Sequence, residues 1–301
     1  MPESGKPGLI AFPKGYFDDL CSGNRTLRSW IDEAATLEVD GIEMYPHFYR
    51  DRSPQAISDI HRYAHSKHLL IPMMCTSPDF TQPEEERRAE EIASMRFWID
   101  VMSATPVADR IRTCRILSGQ KRPGVSREKG VAWVVDAIER LLPYAEEKGV
   151  YLVMENHYKD GRWAYSEFAQ SLDIYTEIVE SIKSKWFGVN YDPSNALLSG
   201  EDPIAVLRRF KNRMLTMHAS DRHLRPGYTT NDLARHFGSG YPDALEHGVI
   251  GRGLIDYEGI FGILKDIGFN GWISIEDGVG GPEDLRDSAA FLKSMMRKTF
   301  S

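Results

Sequence analysis

Short apolar runs recur along the chain, separated by longer stretches in which apolar residues return every three or four positions. Parallel strands joined by crossover helices produce this alternation. The runs are GLIAF (8–12), GIEMY (41–45), LLIPMM (69–74), RTCRIL (112–117), VYLVME (150–155), FGVNYD (187–192), MLTMHA (214–219) and WISIED (272–277). Eight strands are the number that closes a (β/α)8 barrel, so the predicted class is α/β, a TIM barrel, read as one domain over residues 1–301. Between the runs lie amphipathic segments such as TLRSWIDEAATLE, EERRAEEIASMRFWIDVMSA, GVAWVVDAIERLLPYAEEKG and DYEGIFGILKDIG. The last two end in a glycine placed to cap a helix.

One interval breaks the rhythm. Residues 221–253 form an excursion far longer than the usual connection. It is expected to be a lid or an oligomer contact, with glycines, aromatics and the histidines His223, His236 and His247 at the mouth of the barrel. No linker or low-complexity tract marks a second domain.

Barrel chemistry comes from the C-terminal ends of strands, and the later runs end in reactive groups: Glu155, Asp192, His218 and Glu276. An isolated buried carboxylate is too costly to stand alone. Three carboxylates and one imidazole, with few cations beside them in sequence, point to one divalent ion. Mn2+ leads for this oxygen-rich set, with Mg2+, Co2+ or Zn2+ as alternatives. Side chains two apart on a strand share a face, so His157 joins Glu155 if the strand persists, with Asn156 pointing elsewhere.

Composition narrows the partners. Hydrophobic residues make up 42% of the 301, enough for a large core, and the net charge is −7 with no basic block. Nucleic acid is therefore disfavoured as a partner. Cys21, Cys75 and Cys114 are odd in number and scattered, and read as reduced thiols of a cytoplasmic protein. No signal-like or membrane-spanning apolar stretch is present in the sequence. The expected partner is a small sugar-like molecule, and homo-oligomerisation stays open.

The motifs MENH, YDPSNALLSGEDP, MHASD and GRGLIDYEGIFGILKDIGFNGWISIED resemble those of the xylose-isomerase-like TIM barrels, a family that includes ketose 3-epimerases, hydroxypyruvate isomerases, inositol-pathway enzymes and endonuclease IV. By that resemblance Glu155, Asp192, His218 and Glu276 match the metal-binding quartet, and Glu155 and Glu276 are a catalytic acid/base pair on opposite sides of the substrate. Asn195 stands where many members carry a histidine, and the third and fourth runs supply no histidine. A multi-zinc nuclease is thereby disfavoured.

The resemblance implies proton abstraction next to the carbonyl of a keto-sugar or polyol through a metal-stabilised enediolate, giving isomerisation or epimerisation. ENHYKDGRW is also similar to the catalytic subunits of enzymes that cleave oxidised C-glycosides, where a histidine matching His157 is the base. On that lyase reading a small partner subunit is expected. Asn195, Arg222, Asp221, Glu43 and Trp163 are candidate substrate-binding residues, with Tyr45 and His47 beside them. Asp221 is read as orienting either His218 or a substrate hydroxyl.

Overall fold

A computed structural model describes residues 5–107, 110–233 and 241–300. Ten strands are assigned among them: β1 (Gly8–Ala11), β2 (Gly41–Met44), β3 (Leu70–Cys75), β4 (Arg112–Ile116), β5 (Val150–Glu155), β6 (Phe187–Tyr191), β7 (Met214–Ala219), β8 (Asp221–Leu224), β9 (Leu245–Gly248) and β10 (Trp272–Ile275). Eight of them close a parallel barrel in the order β1-β10-β7-β6-β5-β4-β3-β2, a (β/α)8 TIM barrel. Each barrel strand coincides with one of the apolar runs to within two residues at either end.

The helices begin and end where local chemistry dictates. Thr26, Ser53 and Ser126 accept backbone N–H groups at the starts of the helices Leu27–Ala34, Pro54–Ser66 and Arg127–Lys148. A side-chain oxygen at that position satisfies an otherwise orphaned donor. Gly149 closes the third of these at φ 66°, a left-handed conformation that glycine adopts without a Cβ clash.

The excursion after β7 holds structure that the sequence pattern did not show. β8 and β9 pair antiparallel as a separate two-stranded sheet. His236 and the other residues of 234–240 lie outside the described residues. Cys21, Cys75 and Cys114 are free thiols. No helix among the described residues is long and apolar enough to cross a membrane.

Alternate residues of each barrel strand face the axis, and the interior is layered accordingly. Its apolar floor is Ile10, Met73, Val153 and Trp272, all fully buried. The Trp272 indole lies against Gly8, where a Cβ would come within 2.2 Å of the ring. Its Nε1–H donates to the Ile111 carbonyl oxygen at 2.9 Å. This floor closes the barrel beneath a polar upper layer.

Gly8→Ala is therefore expected to destabilise the fold by about 1–3 kcal/mol through overpacking. Urea denaturation measures the loss, and Gly8→Ala combined with Trp272→Leu should cost less than the sum of the two single changes. Simple additivity would show that the contact does not constrain position 8.

Candidate metal centre at the barrel mouth

β5, β6, β7 and β10 are neighbours around the barrel, and each delivers one inward-facing side chain to the same level. Glu155 is the last residue of β5, Asp192 follows β6, His218 lies near the end of β7 and Glu276 follows β10. One ligand atom from each lies within 4.8 Å of the others, and all four residues are buried. The imidazole is the hub: His218 Nδ1 is 3.2 Å from Glu155 Oε1 and 3.1 Å from Glu276 Oε2.

The opposite edge of the ring is held separately. His218 Nε2 is 3.1 Å from both oxygens of Glu43, which also accepts from Ser274 Oγ at 2.6 Å. Glu43, read from the sequence as lining a substrate pocket, is wholly buried behind the imidazole instead. A carboxylate in that position holds a proton on Nε2, so that a cation bound at Nδ1 would displace only the proton that Nδ1 shares with Glu155 and Glu276. Cys75 completes a second tight group with Glu43 and His218. Burial pushes its thiol well above the ordinary range, so it stays neutral.

The sequence showed few cations near the carboxylates, but the fold brings two from elsewhere. Lys14, just past β1, donates to Glu276 Oε1 at 2.7 Å. Arg115, at an inward position of β4, places Nε 3.1 Å from Glu155 Oε2. That pair is out of line for a hydrogen bond, and both atoms lack a hydrogen-bond partner. Asn195 Nδ2 donates to Glu155 Oε1 at 2.9 Å, while Asn195 Oδ1 is buried with no hydrogen-bond partner.

Charges respond to this crowding. For Glu155 burial favours the neutral acid, but the charges of His218, Arg115 and His157 outweigh it and lower the pKa. Glu276 goes well below the carboxylate range because Lys14 and His218 overcome its burial. Lys14 is raised in turn: burial opposes its charge, and Glu276 more than compensates. His218 ends well above an ordinary histidine because Glu43, Glu155 and Glu276 overcome its burial.

Asp192 differs from the other two carboxylates. Its Oδ1 caps the short helix Pro193–Leu198, accepting from Ser194 N at 2.7 Å and Asn195 N at 3.0 Å, with the Ser194 and Ser220 hydroxyls each at 2.9 Å. Its Oδ2 is buried with no hydrogen-bond partner. Burial, then Glu276 and Glu155, push its pKa up to about 6. A convergent set of three carboxylates and one imidazole, with an orphaned oxygen turned inward and charge repulsion at that carboxylate, fits a divalent cation that keeps open positions.

The remaining sequence candidates fall in three places. β5 ends at Glu155, so His157 is not on a persisting strand face. It lies on the following loop, buried, stacked on Tyr158 (ring centroids 5.1 Å apart), with Nδ1 3.8 Å from Glu167 Oε2. Glu167 is anchored by Ser118 N at 2.7 Å and by the Ser118 hydroxyl, and burial raises its pKa. Asn156 clamps the seam, donating from Nδ2 to the Asp192 carbonyl oxygen at 2.8 Å and accepting the Asp192 N–H at 2.9 Å.

Asp221 is engaged by backbone donors and not by His218. Its carboxylate accepts from the backbone N–H groups of Arg222, Gly251, Gly253 and Ile255, and so clips the returning excursion to the rim. Arg222 is buried at the mouth, and Trp163 lines a cavity of about 260 Å3 together with Tyr45, His47 and Asp160. Tyr45 Oη and Ser77 Oγ both donate to Asp160 Oδ2, at 3.2 and 2.7 Å. Lys14, Arg115, Asp160 and Glu167 could not be picked out from the sequence. Arg115 alone left a signal there, as a charge at an inward position of an apolar run.

This architecture, a closed barrel with a ligand-type cluster on the C-terminal rim of adjacent strands, defines a class of barrel proteins that bind at their mouth. The chain belongs to the xylose isomerase-like TIM barrel family, whose model matches residues 31–295. It is 27% identical to an inosose dehydratase of Geobacillus thermodenitrificans (strain NG80-2) over 161 residues, 52% of this chain and 49% of that protein. The alignment thus spans about half the length of that relative. Among solved structures, a D-tagatose 3-epimerase-like protein superposes with a TM-score of 0.72 at 19% identity, covering 97% of this chain and 98% of the other. An IOLI protein crystallised with a zinc atom gives 0.67 at 18% identity, covering 97% and 96%.

Glu43→Gln keeps the shape of the side chain but removes the charge behind His218. Loss of such an outer partner is expected to weaken Mn2+ binding by about 10- to 100-fold, measured by isothermal titration calorimetry, with circular dichroism unchanged. Equal affinity would mean that Glu43 does not set the state of the imidazole.

Proposed function

We propose that this protein is a divalent-metal-dependent enzyme of the isomerase/epimerase type, which removes the proton beside the carbonyl of a keto-sugar or related polyol. The observation that carries the reading is the convergence of Glu155, Asp192, His218 and Glu276 with Asp192 Oδ2 left unpartnered. These four residues would hold the ion, Mn2+ by preference for an oxygen-rich set. When bound, such an ion supplies an electrophile that polarises a carbonyl and acidifies the neighbouring C–H.

Glu155 and Glu276 are not equivalent as proton carriers. The Glu155 side chain is fully enclosed and is held by Asn195, His218 and Arg115. Glu276 retains 8% exposure, and Lys14 keeps it ionised. Its exposure, and not its basicity, which Lys14 and His218 reduce, makes Glu276 the carboxylate assigned to accept the substrate proton, while Glu155 orients. His157, with Nδ1 3.8 Å from Glu167 Oε2, is the second carrier, an imidazole buried on the loop that follows Glu155. Return of the proton to the same carbon from the other side gives an epimer, and return to the neighbouring carbon gives an isomer.

A lyase reading is favoured by one feature, the unlikeness of the two carriers. An ionised carboxylate can take the proton while His157 gives one to a departing oxygen or carbon, leaving a double bond in the sugar. Partial similarity to an inosose dehydratase is in keeping with elimination. Substrates of that kind include inososes and 3-oxo-glycosides.

Incubation with Mn2+ and a panel of ketohexoses, 3-oxo-glucosides and inosose in deuterated water, followed by NMR, tests both. C–H to C–D exchange in a rearranged sugar supports the isomerase, and release of water or aglycone supports the lyase. Glu276→Gln should lower either rate by about 10²–10⁴-fold while leaving the fold intact. Full activity in that variant would remove Glu276 from the chemistry, and His157→Ala with unchanged exchange would return His157 to a supporting role.

A further inference from the structure

The hairpin that returns to the rim carries polar groups that the proposed chemistry does not use. Its register sets Arg222 of β8 opposite His247 of β9, and directly opposed residues of an antiparallel pair project on one face. The Tyr241 ring stacks on His247 with centroids 6.0 Å apart and lies 5.7 Å from the Arg222 guanidinium. Tyr158, next to His157, packs edge-on against Tyr241 at 5.3 Å.

Arg222 is buried, with a relative exposure of 2%, yet no carboxylate lies within ion-pair distance of it among the described residues. Its guanidinium donates from Nη1 to the Asp221 carbonyl oxygen at 2.8 Å. Arg222 Nε, Tyr241 Oη and His247 Nδ1 are all buried without a hydrogen-bond partner. Burial together with the charges of Arg222 and Lys14 drives the His247 pKa to about 2, so this imidazole is neutral.

Asp192 and Asp277 feel the charge of Arg222 without pairing directly with it. A buried guanidinium without a direct ion pair is costly, and buried polar groups are rarely left unsatisfied. Arg222 Nε and Tyr241 Oη are donors that call for an acceptor-rich occupant, and His247 Nδ1 is a third in its Nδ1–H tautomer. A neutral hydroxyl would satisfy a donor but give Arg222 no direct ion pair, whereas a carboxylate or phosphoryl group answers both needs. Lys14 is not free to serve instead, because it is engaged with Glu276.

We propose that Arg222, Tyr241 and His247 form an anion subsite at the edge of the metal centre, and that the sugar substrate carries a carboxylate or phosphoryl group that docks there. The substrate class rests on the carbon-acid reading above, whereas anion binding can be measured without turnover. The subsite also accounts for the excursion, which brings donors from β8, from β9 and from Tyr241 to a mouth whose barrel strands supply mostly acceptors.

Titration calorimetry of the protein with inorganic phosphate, with glucuronate and with glucose as the neutral control tests the proposal. At least one anion is expected to bind about tenfold or more tightly than glucose, as loss or gain of a charged hydrogen bond implies. Phosphate alone would identify a phosphoryl group, and glucuronate alone a carboxylate. Arg222→Gln should weaken the binding by about tenfold or more, and Tyr241→Phe, which keeps the ring and the fold, by roughly threefold to tenfold. Anion affinity no better than that of glucose, or unaltered in Tyr241→Phe and in folded Arg222→Gln, would overturn the subsite. Deuterium exchange fails or succeeds independently of these titrations, so the two readings are judged apart.

Discussion

Like charge confined to a narrow space governs the mouth of this barrel. Neighbouring strands run about 4.8 Å apart, and the stagger between β5, β6, β7 and β10 brings Glu155, Asp192, His218 and Glu276 to one place although Glu155 is in register with Asn190 and His218 with Ser274. Glu43 arrives from β2 on the other side of the same imidazole. Repulsion of this kind is tolerable only where each carboxylate has a compensating partner. Glu276 has Lys14, Glu155 has Arg115, and His218 serves Glu43 as well. Asp192 has hydroxyl and amide donors on one oxygen and nothing on the other. Among the three carboxylates of the quartet, Asp192 Oδ2 is therefore the oxygen with neither a hydrogen bond nor an ion pair, the point where an added cation would relieve repulsion most.

The supporting structure makes that point rigid. Asn156 ties the end of β5 to the backbone of Asp192, and the Asp192 side chain in turn starts a helix. Its position is thus set by two backbone hydrogen bonds and a cap rather than by its own torsions. Glu43 and Ser274 do the same for His218. Beneath them Trp272 seals the barrel, keeping the polar layer away from the opposite end. A site built on strand ends in this way holds its geometry better than one built on free loops.

The parts of this arrangement written in short-range pattern were legible in the sequence. Buried parallel strands must be continuous apolar runs, so all eight could be bounded, and the ligand types at the ends of the fifth to eighth runs could be read directly. Partners that meet only through closure of the barrel could not. Lys14 lies far along the chain from Glu276 and meets it because β1 and β10 are paired. Glu43 looked like a rim residue because its run ends just after it, whereas barrel tilt carries it behind His218. Asp221 sits in a polar stretch that suggests ligand contact, yet backbone N–H groups thirty and more residues away claim its oxygens. The β8–β9 hairpin was hidden because its strands carry few apolar residues to mark them.

The two sides of the centre are unlike, and this bears on how a substrate would lie. Toward β1 and the hairpin stand Lys14 and Arg222, one in an ion pair and the other without a direct one. Toward β2 and β5 the cavity lined by Trp163, Tyr45 and Asp160 adds aromatic faces and hydrogen-bonding groups, with charges of both signs on Arg52, Arg162, Glu91 and Asp160. A molecule charged at one end and neutral at the other would experience these surroundings as a preferred direction. With its direction set, the carbon presented to Glu276 would follow from the length between the charged group and the carbonyl. On this view specificity for the reacting carbon belongs to groups that take no part in proton transfer, which is how binding energy remote from the chemistry is turned to positioning.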